Sequence, residues 1–230
     1  MNASLELLWP WLPLMGRGFA LNLGMGVLAM LLAILCGTLL GAAQLAPAHW
    51  LRRSAGLLTQ LLRNSPWLVV MFFVMHLLPY ELRIGGAALA LPAWAKAVLA
   101  LALPATGNFS EIVRGGLRTV PLTQWEAATA LGYGRAGRLW QVILPQALRH
   151  MLAPALGLYC VVTMSTSLAS LVGVGELLGI AREVLAAEAR TELLLPVYGL
   201  VLLMFFAYIF PLSLLARALE RRWSRGGQSS

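Results

Sequence analysis

Charged positions along this 230-residue chain fall in clusters separated by long apolar runs, and the gaps between clusters outline the architecture. Residues 18 to 51 contain no Asp, Glu, Lys or Arg; neither do 64 to 80, 97 to 110, 150 to 175 or 193 to 216. A helix of about 20 apolar residues crosses the hydrocarbon core of a bilayer. The first, fourth and fifth gaps are long enough alone. The second draws on SAGLLTQLL before Arg63, and the third on GGAALALPAW before Lys96, whose long stem can carry its ammonium to the interface. The pattern predicts an all-α integral membrane protein of about five transmembrane helices. Residues 1–17 open without a basic segment, carry Glu6 and are interrupted by Pro10 and Pro13, so they read as an uncleaved interfacial segment. Residues 18–218 form the transmembrane domain and 219–230 a basic tail.

Composition agrees. Hydrophobic residues make up 60% of the chain and charged ones 11%, too few to coat a soluble domain of this size. The formal charge of +8 is spread between apolar runs rather than gathered on one patch, which argues for membrane topology and against nucleic acid. With the N-terminus outside, the inner segments hold Arg52, Arg53, Arg63, Arg114, Arg118, Arg135, Arg138, Arg149, Arg217, Arg221, Arg222 and Arg225, twelve of the 17 basic residues. The positive-inside rule therefore predicts N-out and C-in. Cys36 and Cys160 lie within apolar runs and read as small buried hydrophobes.

One polar stretch stands apart, EAATALGYGRAGRLWQVILPQALRH at 126–150, on the predicted inner side. Pro121, then Thr123 as N-cap with Glu126 three residues on, has the form of a capping box. Ala127, Ala128 and Leu131 leave a small-residue face, and Gly132 and Gly134 break the helix. A second helix, with Leu139, Val142 and Ile143 at helical spacing, runs from Arg135 and ends at Pro145. Small side chains admit close approach by another protein. An amphipathic interfacial loop anchored by Trp125 and Trp140 is the other reading.

The order Glu126-Ala127-Ala128, Gly132, Ile143-Leu144-Pro145 resembles the EAA loop of ABC-transporter permeases, here about 121–150. The longer run SEIVRGGLRTVPLTQWEAATALGYGRAGRLWQVILPQALRHMLAP resembles the signature of the polar amino acid importer permeases; RNSP at 63–66 and TSLASLVGVGEL at 166–177 resemble two further motifs. The resemblance covers about residues 18 to 218 and implies a five-span subunit of a bacterial inner membrane. It implies that an ATPase dimer docks on Glu126, Ala127, Ala128, Gly132, Ile143, Leu144 and Pro145. ATP and Mg are then expected on that partner, with no cofactor on this chain, and a periplasmic or extracellular binding protein supplies the solute. The chain departs from the family at Thr123, where a glycine is usual. It departs again at Met164-Ser165, where a lysine and an acidic residue are common; this favours a heterodimer with a second, charge-bearing permease over a homodimer.

Other chemistry is poorly served. There is no Asp, the single lysine Lys96 excludes a phosphate-binding Gly-rich loop of the G-x-x-x-x-G-K-[ST] type, and His49, His76 and His150 are isolated from one another. ATP hydrolysis is expected on a partner, not here. Residues expected to line or gate a path are Arg63 and Asn64 before Pro66, Asn108 and Glu111 at the inner end of the third span, and the hydroxyls of Thr163, Ser165, Thr166, Ser167 and Ser170. Helix packing by those hydroxyls, and a local Glu111–Arg114 ion pair, are the competing structural readings. The polar segment after Gly173 and Gly175, with four glutamates counting Glu192, reads as a landing surface for a binding protein or as a solvated helix. Uptake of an opine, a small peptide or another organic nitrogen compound remains an alternative, as does a scaffold without a transport path.

Overall fold

Leu12–Ala43 forms α1, a 32-residue helix about 48 Å long. A computed structural model describes residues 7–84 and 87–224. Along α1, Met15, Gly18, Asn22, Gly26, Ala29, Ala33, Gly37, Gly41 and, just beyond it, Gln44 recur at steps of three or four, and all are buried. Larger residues such as Leu31, Leu35 and Leu39 occupy the exposed side. In a membrane protein such small positions let helices meet backbone to backbone.

The helices that follow are α2 (His49–Asn64), α3 (Trp67–Leu77), α4 (Ala93–Thr119), α5 (Leu122–Ala130), α6 (Leu144–Ser165), α7 (Leu177–Glu188) and α8 (Leu194–Ser224). An antiparallel ribbon, β1 (Glu81–Ile84) and β2 (Ala87–Ala90), pairs Glu81 with Ala90. By length and apolarity Trp9–Ala43, Arg135–Val172 and Thr191–Trp223 can each cross a membrane, and α2 with α3 passes as a broken span.

Several expectations need correcting. The second span is not one helix: Pro66, with φ −62° and ψ 125°, separates α2 from α3, because proline disfavours helical backbone at the residue before it. Of the GGAALALPAW stretch only Ala93 and Trp94 join the third span, since Ala87–Ala90 is strand and α4 starts after Pro92; Gly85 and Gly86 lie outside the described residues. Pro145 does not end a helix. The turn before it, Arg138–Ile143, widens into π-helix, and α6 continues through Pro145 and Pro154. A wide turn relieves the clash between a proline ring and the carbonyl four residues back, which for Pro145 is that of Gln141. Finally, the Lys96 stem folds inward instead of carrying its ammonium outward. It is fully buried, donating to the carbonyls of Leu78 (2.6 Å) and Met75 (3.3 Å) at the end of α3, and it sits 3.2 Å from the Tyr80 ring centroid. A helix C-terminus and an aromatic face both favour a cation. At the termini, α1 already contains Pro13 and Arg17, and α8 carries the basic tail as helix to Ser224; Arg225 lies outside the described residues.

The chain divides into two compact units. The first comprises the chain up to Leu31, Ser65–Pro104 and Tyr159–Phe210. Its core joins Leu8 and Met15 to Leu177, Ile180, Ala181 and Val184, one face of α7, and to Leu193, Val197 and Val201. A Cβ at Gly18 would lie 2.6 Å from Ile180 Cδ1 and 2.9 Å from the Leu177 nitrogen; one at Gly26 would lie 2.9 Å from Thr163 Oγ1. Tyr159 and Tyr208 share a 2.8 Å hydroxyl hydrogen bond, and Phe19 meets Phe205 edge-on.

The second unit comprises Leu32–Asn64, Ala105–Leu158 and the chain from Pro211. Here α1 lies against α4, and a Cβ at Gly41 would be 2.7 Å from the Ser110 carbonyl oxygen. Buried Gln44 Nε2 donates to Thr59 Oγ1 (3.0 Å) and Ser110 Oγ (3.2 Å), and the two hydroxyls bond each other at 3.0 Å.

The packing makes a sharp contrast testable. Gly18→Val should destabilise the protein by about 1–3 kcal/mol through overpacking. Gly16→Ala, where a Cβ meets nothing within 4 Å, should not lower the melting temperature in detergent. Equal melting of the two variants would sink the close-approach account.

Candidate functional site

Helix α5 starts at Leu122, one residue before the expected cap, so Thr123 is inside the helix. Pro121 is the N-cap, extended at ψ 146°; its carbonyl accepts from Gln124 N at 3.0 Å, and no side chain caps the end. The capping box is therefore not formed. Proline at this position already fixes the turn, and its missing N–H is no loss there.

The other end matches expectation. Leu131 is the C-cap and Gly132 follows at φ +80°. Tyr133 N donates to the Ala128 carbonyl (3.1 Å) and Gly132 N to that of Thr129 (3.0 Å), the two bonds of a Schellman motif. A left-handed residue here requires glycine or, at some cost, asparagine.

Three contacts then tie α5 to the π-helical turn and the start of α6. Arg138 Nη1 donates to Thr129 Oγ1 at 2.6 Å, its guanidinium lies 5.8 Å from the Trp125 ring, and Gln146 Nε2 reaches Gln124 Oε1 at 3.4 Å. Trp125 also lines a cavity of about 400 Å³ with Leu45, Leu117, Arg118, Val120 and Leu122. Of the residues singled out here, Ala128 and Ile143 are buried, Leu144 is half-buried, and Glu126, Ala127, Gly132 and Pro145 are exposed. The outward surface thus combines small residues, one carboxylate, and the exposed side chains of Leu122 and Leu131.

The hydroxyl-rich segment divides differently. Helix α6 ends at Ser165 and Thr166–Val172 continues as 3₁₀-helix, stopped by Gly173 at φ +84°. Ser165, Ser167 and Ser170 donate to carbonyls of the preceding turn, those of Val161, Met164 and Ser167. Thr163 is fully buried against Gly26, and its Oγ1 has no hydrogen-bond partner. Thr166 donates to the Thr163 carbonyl and accepts from Asn22 Nδ2 at 2.8 Å. Ser167, with Met164, Leu178 and Tyr198, borders a groove of about 340 Å³.

Asn22 and Glu176 escape sequence reasoning, although both are fully buried. Glu176 is the N-cap of α7: Oε1 accepts from Gly179 N (2.9 Å), and Oε2 from Leu178 N (3.1 Å) and Asn22 Nδ2 (2.7 Å). Asn22 Oδ1 accepts from Leu177 N at 3.0 Å. Glu176 is consequently interior rather than part of a landing surface, and Glu188 accepts from Trp11 Nε1 at 3.0 Å. An Asn in the apolar run of α1 was the available signal; its partner, 154 positions away, was not.

At the α2–α4 contact, Glu111 pairs with Arg114 through a 3.1 Å bond from Nε to Oε1 and a second from Nη2 to Oε2, with Arg63 Nη1 at 3.8 Å. The expected local pair is present, and Arg63 joins it. Asn64 instead bonds Gln60 at 3.4 Å, and Asn108 is half-buried on α4.

Long apolar helices with a short, capped helix held on an exposed loop are the make-up of a membrane-embedded transport subunit. The chain belongs to the family of binding-protein-dependent transport system inner membrane components, whose model matches residues 29–225. It is similar to the probable glutamine ABC transporter permease protein GlnP of Bacillus subtilis (strain 168), 32% identical over 205 residues, covering 89% of this chain and 91% of the relative. It is also similar to the octopine transport system permease protein OccM of Rhizobium radiobacter, 38% identical over 132 residues, 56% of this chain and 54% of that protein. Among solved structures, the crystal structure of an amino acid ABC transporter with histidines superposes with a TM-score of 0.78 at 24% identity, over 93% of this chain and 95% of that one, and shows the shared fold.

The Schellman turn gives a prediction. Gly132→Val should destabilise it by about 1–2 kcal/mol, the cost of a left-handed backbone for an ordinary residue. Hydrogen exchange at the Gly132 and Tyr133 amides should rise accordingly, with Gly132→Asn in between. Unchanged exchange in the valine variant would contradict the assignment.

Proposed function

We propose that this chain is the permease subunit of an ATP-driven importer for a polar amino acid, coupled to a separate ATPase dimer through residues 121–150. The observation that carries the reading is α5 itself. Its nine residues bury only Ala128, while Arg138, Gln146 and the Gly132 turn hold it in place. A short helix fixed at both ends and open on its outer face is suited to receive a partner and pass on its movement. Glu126, Ala127 and Gly132 lie on that face, whereas Ile143 and Leu144 serve beneath it.

ATP and Mg belong to the ATPase partner in this reading, and a binding protein delivers the solute from outside. The basic residues favour N-out and C-in with about five crossings of a bacterial inner membrane. Helix α4, at 27 residues, has the length for one of these despite Lys96, Glu111, Arg114 and Arg118. Met164 and Ser165, one exposed and one half-buried, place no charge at the end of α6, which supports a heterodimer with a charge-bearing second permease. The similarity to GlnP supports an amino acid as solute, and the similarity to OccM supports an opine as the second reading.

Copurification of the tagged chain in mild detergent tests the assembly: an ATPase and a second permease are expected to accompany it. Glu126→Arg should abolish copurification of the ATPase or cut uptake into vesicles by about ten-fold, with membrane insertion unaffected. If that variant transports as the wild type does, the docking assignment fails.

A further inference from the structure

We infer that Asn22 is a positioning residue for the transport path, holding the 3₁₀ segment Thr166–Val172 in register with α7. The inference rests on the importer reading above.

Both Nδ2 protons of Asn22 are committed, one to Thr166 Oγ1 and one to Glu176 Oε2, while Oδ1 takes the Leu177 amide. Reversing the amide would set its NH₂ group against the Leu177 N–H and its oxygen against a carboxylate and a hydroxyl, so the orientation is fixed. Through this one side chain, three elements are joined: α1, the start of the 3₁₀ segment, and the first turn of α7.

The 3₁₀ segment needs such a restraint. Its hydrogen-bond geometry is poorer than that of an α-helix, and seven residues is long for the form. It ends at a left-handed glycine, which the chain can easily rearrange. The far end has its own tie, Arg182 Nη2 donating to Ser170 Oγ at 2.8 Å. Thr166 and Ser170 are thus each held from outside the segment, at its beginning and near its end. Between them lies Ser167, which faces the groove with Met164 and Tyr198. What Asn22 fixes is therefore the placement of Ser167, the hydroxyl of the segment that borders the groove.

A cap for α7 and a restraint on the 3₁₀ segment are separable roles. Thr166→Val removes the link to the segment and leaves the Asn22–Leu177 and Asn22–Glu176 bonds intact; Asn22→Leu removes both. The complete transporter, with its ATPase and binding protein, is reconstituted in proteoliposomes with radiolabelled L-glutamine as the probe, and uptake is measured per ATP hydrolysed. Each single variant should lower that ratio by about ten-fold and the double variant no further, because the two residues act as one unit. A Thr166→Val transporter with the wild-type ratio, or a double variant whose loss is the product of the two single losses, overturns the inference.

Hydrogen exchange on the same assembled samples gives an answer independent of solute. Amides of Thr166–Val172 should exchange about ten-fold faster in both variants, and the Leu177 amide only in Asn22→Leu. Wild-type protection of the segment in Thr166→Val overturns the inference by itself. Should the wild-type transporter hydrolyse ATP without moving glutamine, glutamine as the solute is what fails, and the exchange measurement still decides the role of Asn22.

Discussion

The structure depends on how closely other backbones can approach one face of α1. Gly18, Gly26, Gly37 and Gly41 lie on that face where a single added carbon would overlap a neighbour, with Ala29 and Ala33 between them. Lipid tails are as apolar as leucine, so burying leucine against leucine gains little inside a bilayer. What favours association is the dispersion energy of backbones in contact, each atom pair contributing little and the whole surface a great deal. The opposite side of α1, with Leu31, Leu35 and Leu39, has only to remain apolar.

Close approach alone does not set the register of one helix against the next. Polar side chains supply that, and they do so in fully satisfied groups. Asn22 in the first unit and Gln44 in the second each bridge elements distant in sequence, and Lys96 closes the end of α3 by donating to two of its carbonyls. An unpaired polar group at such depth is costly, so a helix displaced by one residue would lose several bonds at once. Interhelical hydrogen bonds in membranes average less than about 1 kcal/mol each, and their larger effect here is to exclude alternative alignments.

How much of this was legible beforehand varied with the range of the interaction. Gaps between charges found the long helices, because the cost of a charge in the bilayer is felt at each position separately. The Gly132 turn was equally local. The Pro66 break and the widened turn before Pro145 show the limit: proline announces a disturbance, and its surroundings decide whether the helix stops or adapts. Thr123 had the chemistry of a cap but lost the place to Pro121. The Glu111–Arg114 pair followed from spacing, whereas the approach of Arg63 depends on α2 meeting α4. Glu176 was the largest misreading. Its charge implied water, and only the fold reveals that Asn22 and two amides receive it.

That arrangement at α7 also has an electrical consequence. The amino end of a helix carries partial positive charge and exposed N–H groups, and so attracts anions. At α7 the amides of Leu177, Leu178 and Gly179 all donate within the protein, two of them to a carboxylate that neutralises the terminal dipole. The helix end is therefore insulated from anything passing beside it. An anion outside the fold meets a helix end whose first N–H groups are already taken.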